Sequence, residues 1–261
     1  MTAHVYNVRP DLPDHRDRLF VPDFLREILS FLDPSKPVTP PVLNSMVDLR
    51  PEMPPIVDQG SLGSCTANAI AGDMEYLTHS YAPSRLFIYY NERAAQGTVN
   101  QDSGSTLRIG MQTTQKFGAC PETEWPYDIS KYQVDPTPAC YQAAIPDRVH
   151  SYYRIPVGSG SIELIRHALS LKLPVVMGFV VYPSFESAYT AETGIVTMPT
   201  LSEAPIGGHA VLIVGYDDIK KCFIVRNSWG SDWGLSGYFL MPYAYVSNPH
   251  LTFDLWVIQT C

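Results

Sequence analysis

Two patterns of apolar residues divide the chain. In the front half, apolar residues recur at steps of three and four, which is the spacing of one buried helix face. After Cys65 these positions are Ala67, Ile70, Ala71, Met74 and Leu77. In the back half, short runs rich in β-branched and aromatic residues are bounded by glycine and aspartate, as strands are. These runs cover residues 174–182, 209–216, 222–229 and 237–241.

Capping residues predict where several helices begin and end. Ser84 is placed to cap a helix over residues 85–96, and Ser161 to cap the helix that follows it. A further helix is predicted over residues 105–117, ended by Gly118. Helices segregated from an antiparallel sheet predict an α+β fold. We expect a helical lobe over about residues 60–150, a β-rich lobe over about 151–261, and a ligand-binding cleft between them.

The first 45 residues differ from the rest of the chain. They are rich in proline and charge and contain one amphipathic stretch, residues 22–32, with apolar residues at helical spacing. The prolines of residues 33–42 favour an extended linker. We therefore expect residues 1–45 to be an appendage that lies against the domain formed by residues 46–261.

Composition excludes several classes of protein. The 261 residues are 45% hydrophobic and 17% charged, which is typical of a globular chain. With 18 basic and 26 acidic residues the net charge is −8, and no basic cluster suits nucleic acid. No apolar run approaches the roughly 20 residues of a membrane span. The first 20 residues lack the apolar core of a signal peptide, so we expect a cytoplasmic protein.

The five cysteines are too few for a disulfide framework at this length. Cys120 and Cys140 flank a proline-rich loop and could pair, and the states of Cys222 and Cys261 stay open. No cysteine or histidine pair has zinc-ligand spacing, so no metal or other cofactor is expected.

Cys65, in the stretch GSLGSCTANAIAG, has two interpretations. A lone cysteine usually packs as a small apolar residue. At a helix N-terminus, however, the helix dipole and a neighbouring imidazolium lower the pKa of a thiol and make it a nucleophile. The second interpretation requires a histidine and a group that orients it.

His209 and Asn227 can supply those two groups. His209 follows Gly207 and Gly208 and opens a predicted strand, which places it at the end of a sheet. Asn227 lies in RNSWGSDWG, where its amide can accept a hydrogen bond from the imidazole. Gln59 precedes Cys65 by six residues and could donate to an oxyanion. The remaining histidines are interpreted as surface or structural residues: His4, His15, His79, His150, His167 and His250.

Three motifs, QGSLGSC, GHAVLIVGY and RNSWGSDWG, together resemble the active-site blocks of papain-like cysteine peptidases, the group that includes the cathepsins. His209 lies 144 residues after Cys65, within the roughly 130–150 typical of that family, whereas Asn227 lies slightly further, at 162. VDLR, starting at Val47, resembles the usual start of the mature enzyme. The resemblance extends to about Trp256.

The resemblance implies a two-lobed papain-like fold with a barrel-like antiparallel sheet, and a role for each motif residue. It implies that Cys65 is the nucleophile, His209 its acid–base partner and Asn227 the residue that orients the imidazole. Gln59 and the Cys65 amide would form the oxyanion hole, and Trp229 would shield the histidine–asparagine contact. The implied substrate-binding residues are Gly104, Ser105, Gly207, Gly208 and Trp229.

Departures from the family pattern concern the surroundings of the cysteine. Thr66 stands where an aromatic residue is usual, and Leu62 stands where the family usually has a cysteine that forms a disulfide. The glycine pair of the substrate groove is reduced to Gly104 followed by Ser105. None of these changes removes a catalytic atom.

The prediction is a cysteine endopeptidase that forms an acyl-enzyme through a Cys65 thiolate and His209 imidazolium pair and acts on peptides or proteins. The alternatives are an exopeptidase or acyl transferase on the same site, and a catalytically silent peptide-binding protein. For residues 1–45, one hypothesis is a short intramolecular inhibitory segment cleaved near Ser45. The other is a permanent strap packed on the domain.

Overall fold

The computed structural model describes residues 4–22 and 42–259. Almost all of the predicted amphipathic stretch 22–32 and of the proline linker 33–42 lies outside this part of the chain. We call residues 4–22 the N-terminal segment. It has no helix or strand longer than an isolated bridge, and it runs over the surface of the domain that follows.

Four helices form the helical lobe: α1 Cys65–Thr78, α2 Arg85–Gln96, α3 Leu107–Phe117 and α4 Pro138–Ala144. The predicted helix over residues 85–96 is confirmed at both ends, with the Ser84 hydroxyl accepting the Phe87 N–H group and Gly97 in a left-handed conformation at φ 71°. Helix α3 begins two residues later than predicted because Thr106, rather than an earlier residue, is its N-cap.

In the described part of the chain the strands are β1 Met46–Asp48, β2 Ser151–Arg154, β3 Val175–Val181, β4 Gly207–Asp217, β5 Cys222–Arg226, β6 Tyr238–Pro242 and β7 Thr252–Gln259. Three further helices lie between the strands: α5 Ser161–Ser170, α6 Ala188–Thr193 and α7 Tyr243–Val246. These seven strands form one antiparallel sheet in the order β2-β7-β3-β4-β5-β6, with β1 added beside β4.

The four predicted strands correspond to β3, β4, β5 and β6, whereas β1, β2 and β7 were not predicted. β7 lacks an uninterrupted apolar pattern because it carries Asp254, a fully buried carboxylate. The predicted cap at Ser161 is wrong. Ser161 is the first residue of α5, and its hydroxyl donates to the Gly158 carbonyl instead of capping the helix.

Helix α1 packs against β4, and this contact positions the site. It brings the start of α1 next to the start of β4, where the helical lobe and the sheet meet. At this contact Gly72 of α1 faces the buried side chain of Leu212 of β4, 3.9 Å from where a Cβ atom of residue 72 would lie. Within the described residues, no helix combines the length and apolar character needed to cross a membrane.

Candidate active site

Cys65 is the first residue of α1, and its side chain is fully buried. Burial raises the pKa of the thiol to about 12. The backbone N–H of Ala210, the residue after His209, hydrogen-bonds to the Cys65 sulfur and opposes this rise in pKa. The thiol therefore lies beside the start of β4. In this structure Cys65 is therefore a neutral thiol at pH 7.

His209 makes one side-chain hydrogen bond, to Asn227. The Nε2–Oδ1 distance is 2.9 Å, and the same Oδ1 atom accepts the Ser228 N–H group at 2.9 Å. Because Oδ1 is thereby fixed as an acceptor, Nε2 carries the imidazole proton. Nδ1 has no hydrogen-bond partner among the described residues, so it is the nitrogen that can take a proton.

Trp229 covers the imidazole. Its ring stacks on His209 with centroids 4.9 Å apart, and it is itself largely buried. Burial lowers the pKa of His209 to about 4, although the hydrogen bond to Asn227 acts in the opposite direction. The imidazole is therefore neutral at pH 7, like the thiol of Cys65.

Gln59 joins the loop before Cys65 to the loop that carries Asn227. Its Oε1 atom accepts the Ser228 hydroxyl at 2.6 Å, and its backbone N–H donates to the Ser228 carbonyl at 2.9 Å. Its Nε2 group donates one N–H to the Leu62 carbonyl at 3.0 Å. A primary amide has a second N–H, which stays available for an oxyanion. Ser228, which fixes Gln59 and Asn227 together, was not singled out from the sequence.

Four of the five predicted substrate-binding residues form two walls of a cleft, Gly104 and Ser105 on one side and Gly207 and Gly208 on the other. Backbone of the N-terminal segment lies between them, with Val8 donating to the Gly208 carbonyl and Arg9 to the Ser105 carbonyl, both at 3.3 Å. A Cβ atom at Gly104 would lie 2.4 Å from the Asn7 carbonyl oxygen, so only glycine permits this approach.

The N-terminal segment also covers the end of the cleft where Trp229 and His209 lie. His4 stacks on the outer face of Trp229 with centroids 3.8 Å apart, and the Tyr6 ring meets His209 edge-on at 6.0 Å. The interpretation of His4 as a surface or structural residue is therefore incomplete, because His4 lies in the cleft. No local pattern around it signals this contact.

Behind Cys65, Thr66 donates its hydroxyl to Glu92 at 2.7 Å, and both side chains are fully buried. Burial raises the pKa of Glu92 to about 8, so this carboxyl is protonated at neutral pH. The pair occupies the position where the family usually has an aromatic residue. Cys120 and Cys140, whose pairing the sequence left open, are neighbouring free thiols, and Cys222 is also free.

This fold, with a cysteine at the start of α1 facing a histidine–asparagine pair on the sheet, defines a papain-type cysteine protease. The family model described as papain family cysteine protease matches residues 43–248, and the chain belongs to that family. An uncharacterised peptidase C1-like protein of Acanthamoeba polyphaga mimivirus is 42% identical over 263 residues, covering 95% of this chain and 84% of the viral protein.

Solved structures agree with this assignment. Xylellain, a cysteine protease from Xylella fastidiosa, matches with a TM-score of 0.84 and 37% identity, over 98% of this chain and 96% of xylellain. A digestive procathepsin L 3 from Tenebrio molitor larval midgut matches with a TM-score of 0.66 and 21% identity, over 88% of this chain and 73% of its own. At that identity the second likeness concerns the fold alone.

Proposed function

We propose that this papain-family protease is an endopeptidase whose nucleophile is Cys65 and whose acid–base group is His209. The observation that carries the proposal is the fixed proton on His209 Nε2. Asn227 Oδ1 accepts a hydrogen bond from this N–H group, so Nδ1 remains as the base. It serves the Cys65 thiol at the start of α1. A thiol, a base and a group that orients the base are the parts that nucleophilic catalysis needs.

In an open cleft the reaction balances without a cofactor. The Cys65 proton passes to His209 Nδ1, and the thiolate electron pair forms a bond to the peptide carbonyl carbon. The carbonyl oxygen takes the negative charge and accepts hydrogen bonds from the Gln59 amide and the Cys65 backbone N–H. His209 then protonates the leaving amine as the C–N bond breaks. Water, deprotonated by His209, hydrolyses the thioester and regenerates the thiol.

The path of the N-terminal segment supports endopeptidase over end-trimming activity. The described part of this segment runs from Trp229 between Gly104 and Gly208 and on to Arg154, which supports a groove that accommodates a continuous chain instead of a chain end. With an unfolded protein as substrate, we expect mass spectrometry of early products to show internal fragments. Products that lack only one or two terminal residues would contradict endopeptidase activity, and acylated amines in place of new carboxyl ends would indicate transferase activity.

We further propose that the N-terminal segment is an intramolecular inhibitor. It fills the space between the two cleft walls, its Tyr6 ring meets His209, and both Cys65 and His209 are fully buried. The buried pair is neutral, whereas an active pair is a thiolate and an imidazolium. Opening the cleft lets water solvate that ion pair, and the proton only moves from one group to the other. The pair itself therefore takes up no net proton on opening.

A carboxylate–arginine cluster holds the segment on helix α3 and on the sheet. It is formed by Asp11 and Asp17 of the segment with Arg108 of α3, Arg154 of β2 and Asp254 of β7. Asp17 pairs with Arg108 at 2.7 Å and with Arg154 at 2.9 Å. The Asp11 N–H donates to Asp254 at 2.7 Å, and the Asp11 carboxylate accepts the Arg108 backbone N–H at 3.0 Å. The Trp256 indole also donates to Asp11, at 3.3 Å.

The carboxylates of this cluster set the pH at which the segment leaves. Burial opposes ionisation of Asp17, but hydrogen bonds from Arg108 and Arg154 outweigh it and hold the pKa of Asp17 below its usual value. A lowered pKa means that ionised Asp17 stabilises the closed form above about pH 4 and that this contribution is lost at lower pH. Asp254 has the opposite effect on the closed form. Burial and the neighbouring Asp11 raise the pKa of Asp254 to about 7, so protonation of this carboxylate favours the closed form.

Release is therefore expected below about pH 4 and not in mild acid. The full chain is incubated between pH 3 and pH 7 and returned to pH 6, where hydrolysis and intact mass are measured. Asp17→Asn should be active after incubation at pH 7. Asp14→Asn is the matched control, because Asp14 pairs with Arg16 of its own segment. Equal activity after every incubation would contradict an inhibitory segment, and a mass unchanged in active protein would favour a strap that moves without cleavage near Ser45.

A further inference from the structure

The loop that precedes Cys65 has no disulfide to hold it, since Leu62 stands at the position where the family usually has a cysteine. This loop carries Gln59 and ends at Ser64, the N-cap of α1. Small displacements of such a loop matter, because a catalytic group misplaced by 1 Å can cost about 10²-fold in rate. Another group must therefore fix the loop relative to the substrate groove.

Asp102 makes that connection on the loop side. Its two carboxylate oxygens accept the Gly63 N–H group at 3.0 and 3.1 Å, across a sequence separation of 39 residues. Hydrogen bonds to charged groups are stronger than those between neutral groups. Gly63 lies directly between Leu62 and Ser64, so the carboxylate holds the part of the loop where the disulfide is missing.

The same carboxylate reaches the substrate groove through Tyr89 of α2. The Tyr89 hydroxyl donates to Asp102 Oδ1 and accepts the Gly104 N–H group at 3.1 Å. Burial, together with the hydrogen bond to Asp102, raises the pKa of Tyr89 well above its usual value, so the hydroxyl keeps the proton that it donates. The Arg93 guanidinium lies 4.3 Å over the Tyr89 ring and donates to the Val99 carbonyl at 2.7 Å, which fixes the same loop from behind.

We propose that Asp102 is a positioning residue for catalysis, which replaces the missing disulfide by tying the loop before Cys65 to the groove residue Gly104. This inference rests on the proposed function of Cys65 and Gly104. Asp102 acts on the reaction through two backbone N–H groups, that of Gly63 directly and that of Gly104 through Tyr89. Its removal should affect both the chemical step and substrate binding, whereas removal of the Tyr89 hydroxyl should affect binding alone.

The test compares Asp102→Ala, Asp102→Asn and Tyr89→Phe with wild type in the full chain, each after the same acid incubation. Asp102→Ala should lower kcat and raise KM, with a loss in kcat/KM of about 10- to 100-fold. Tyr89→Phe should raise KM several-fold with kcat nearly unchanged. Asp102→Asn keeps one acceptor oxygen for Gly63 and Tyr89, so most of the activity should return. Asp128→Ala is the control, an exposed acid whose partners are Ser130 and Lys131.

Amide hydrogen exchange on the same full chains makes the result independent of activation. Asp102→Ala should speed exchange at Gly63, and Tyr89→Phe should speed it at Gly104 alone. Unchanged exchange in Asp102→Ala, or kinetic constants equal to those of wild type, would overturn the proposal, as would equal changes in kcat for Asp102→Ala and Tyr89→Phe. If wild type hydrolyses no peptide after acid incubation, the proposed function fails, while the exchange rates still decide whether Asp102 holds the loop.

Discussion

Replacing Cys65 with alanine is expected to abolish peptide hydrolysis, with a loss in kcat of about 10⁴-fold or more. Losses of this size follow removal of a nucleophile or its base in enzymes where the two act as a unit. His209→Ala should lose nearly as much, because no other side chain among the described residues hydrogen-bonds to Asn227 Oδ1. The double variant should be no worse than either single one, since either change alone removes thiolate formation. Initial rates with a peptide substrate, measured after every variant has had the same incubation below about pH 4, give the measurement.

Two further measurements separate lost chemistry from lost folding. Cys65→Ala removes one buried sulfur, so thermal unfolding should shift only slightly. Cys222→Ala is the matched control, because Cys222 is a buried free thiol on β5 and takes no part in the site. Wild-type rates in Cys65→Ala would place the nucleophile elsewhere in the chain, and a loss equal to that of Cys65→Ala in Cys222→Ala would indicate a general effect of thiol removal.

The positions of Cys65 and His209 at the ends of a helix and a strand could be predicted, because the sequence patterns that indicate them lie next to these residues in the chain. A cysteine followed by a helical pattern, and a histidine that opens an apolar run, each place a side chain at the end of an element. Resemblance to a known family then implied a role for each of Cys65, His209 and Asn227, which stays a prediction. The structure adds the geometry, in which Asn227 fixes the proton on His209 Nε2.

The N-terminal segment could not be placed from sequence, because its contacts are with residues far along the chain. Val8 meets Gly208, and Asp11 meets Asp254, at separations of about 200 and 243 residues. No periodicity in a segment without helix or strand reports such contacts. β7 was missed for a related reason. Asp254 interrupts the apolar pattern of β7. This carboxylate can be buried because Arg154 and the Asp11 N–H group of the N-terminal segment are its partners.

Displacing the N-terminal segment is expected to expose Cys65 and to cause a large increase in the rate at which its thiol is alkylated. Val8 is 5% exposed and Leu12 is 81% exposed, although both are apolar residues of the same segment. Val8→Glu places an unpaired carboxylate in the cleft, at a cost of several kcal/mol that expels the segment. Leu12→Glu places the same charge in water. About 1.4 kcal/mol corresponds to a factor of ten. The open fraction of Val8→Glu should therefore exceed that of Leu12→Glu by at least about 10²-fold.

Alkylation of Cys65 by iodoacetamide between pH 4 and pH 9, read by intact mass and peptide mapping, is the direct measurement. In Val8→Glu, we expect labelling at Cys65 that persists well below pH 7 and is at least about 10²-fold faster than in Leu12→Glu. His209→Ala in the Val8→Glu chain should lose the low-pH reactivity. If Cys65 of Val8→Glu reacts only as the pH approaches about 8.5, as an ordinary thiol does, then His209 does not activate it and the account of this active site is wrong.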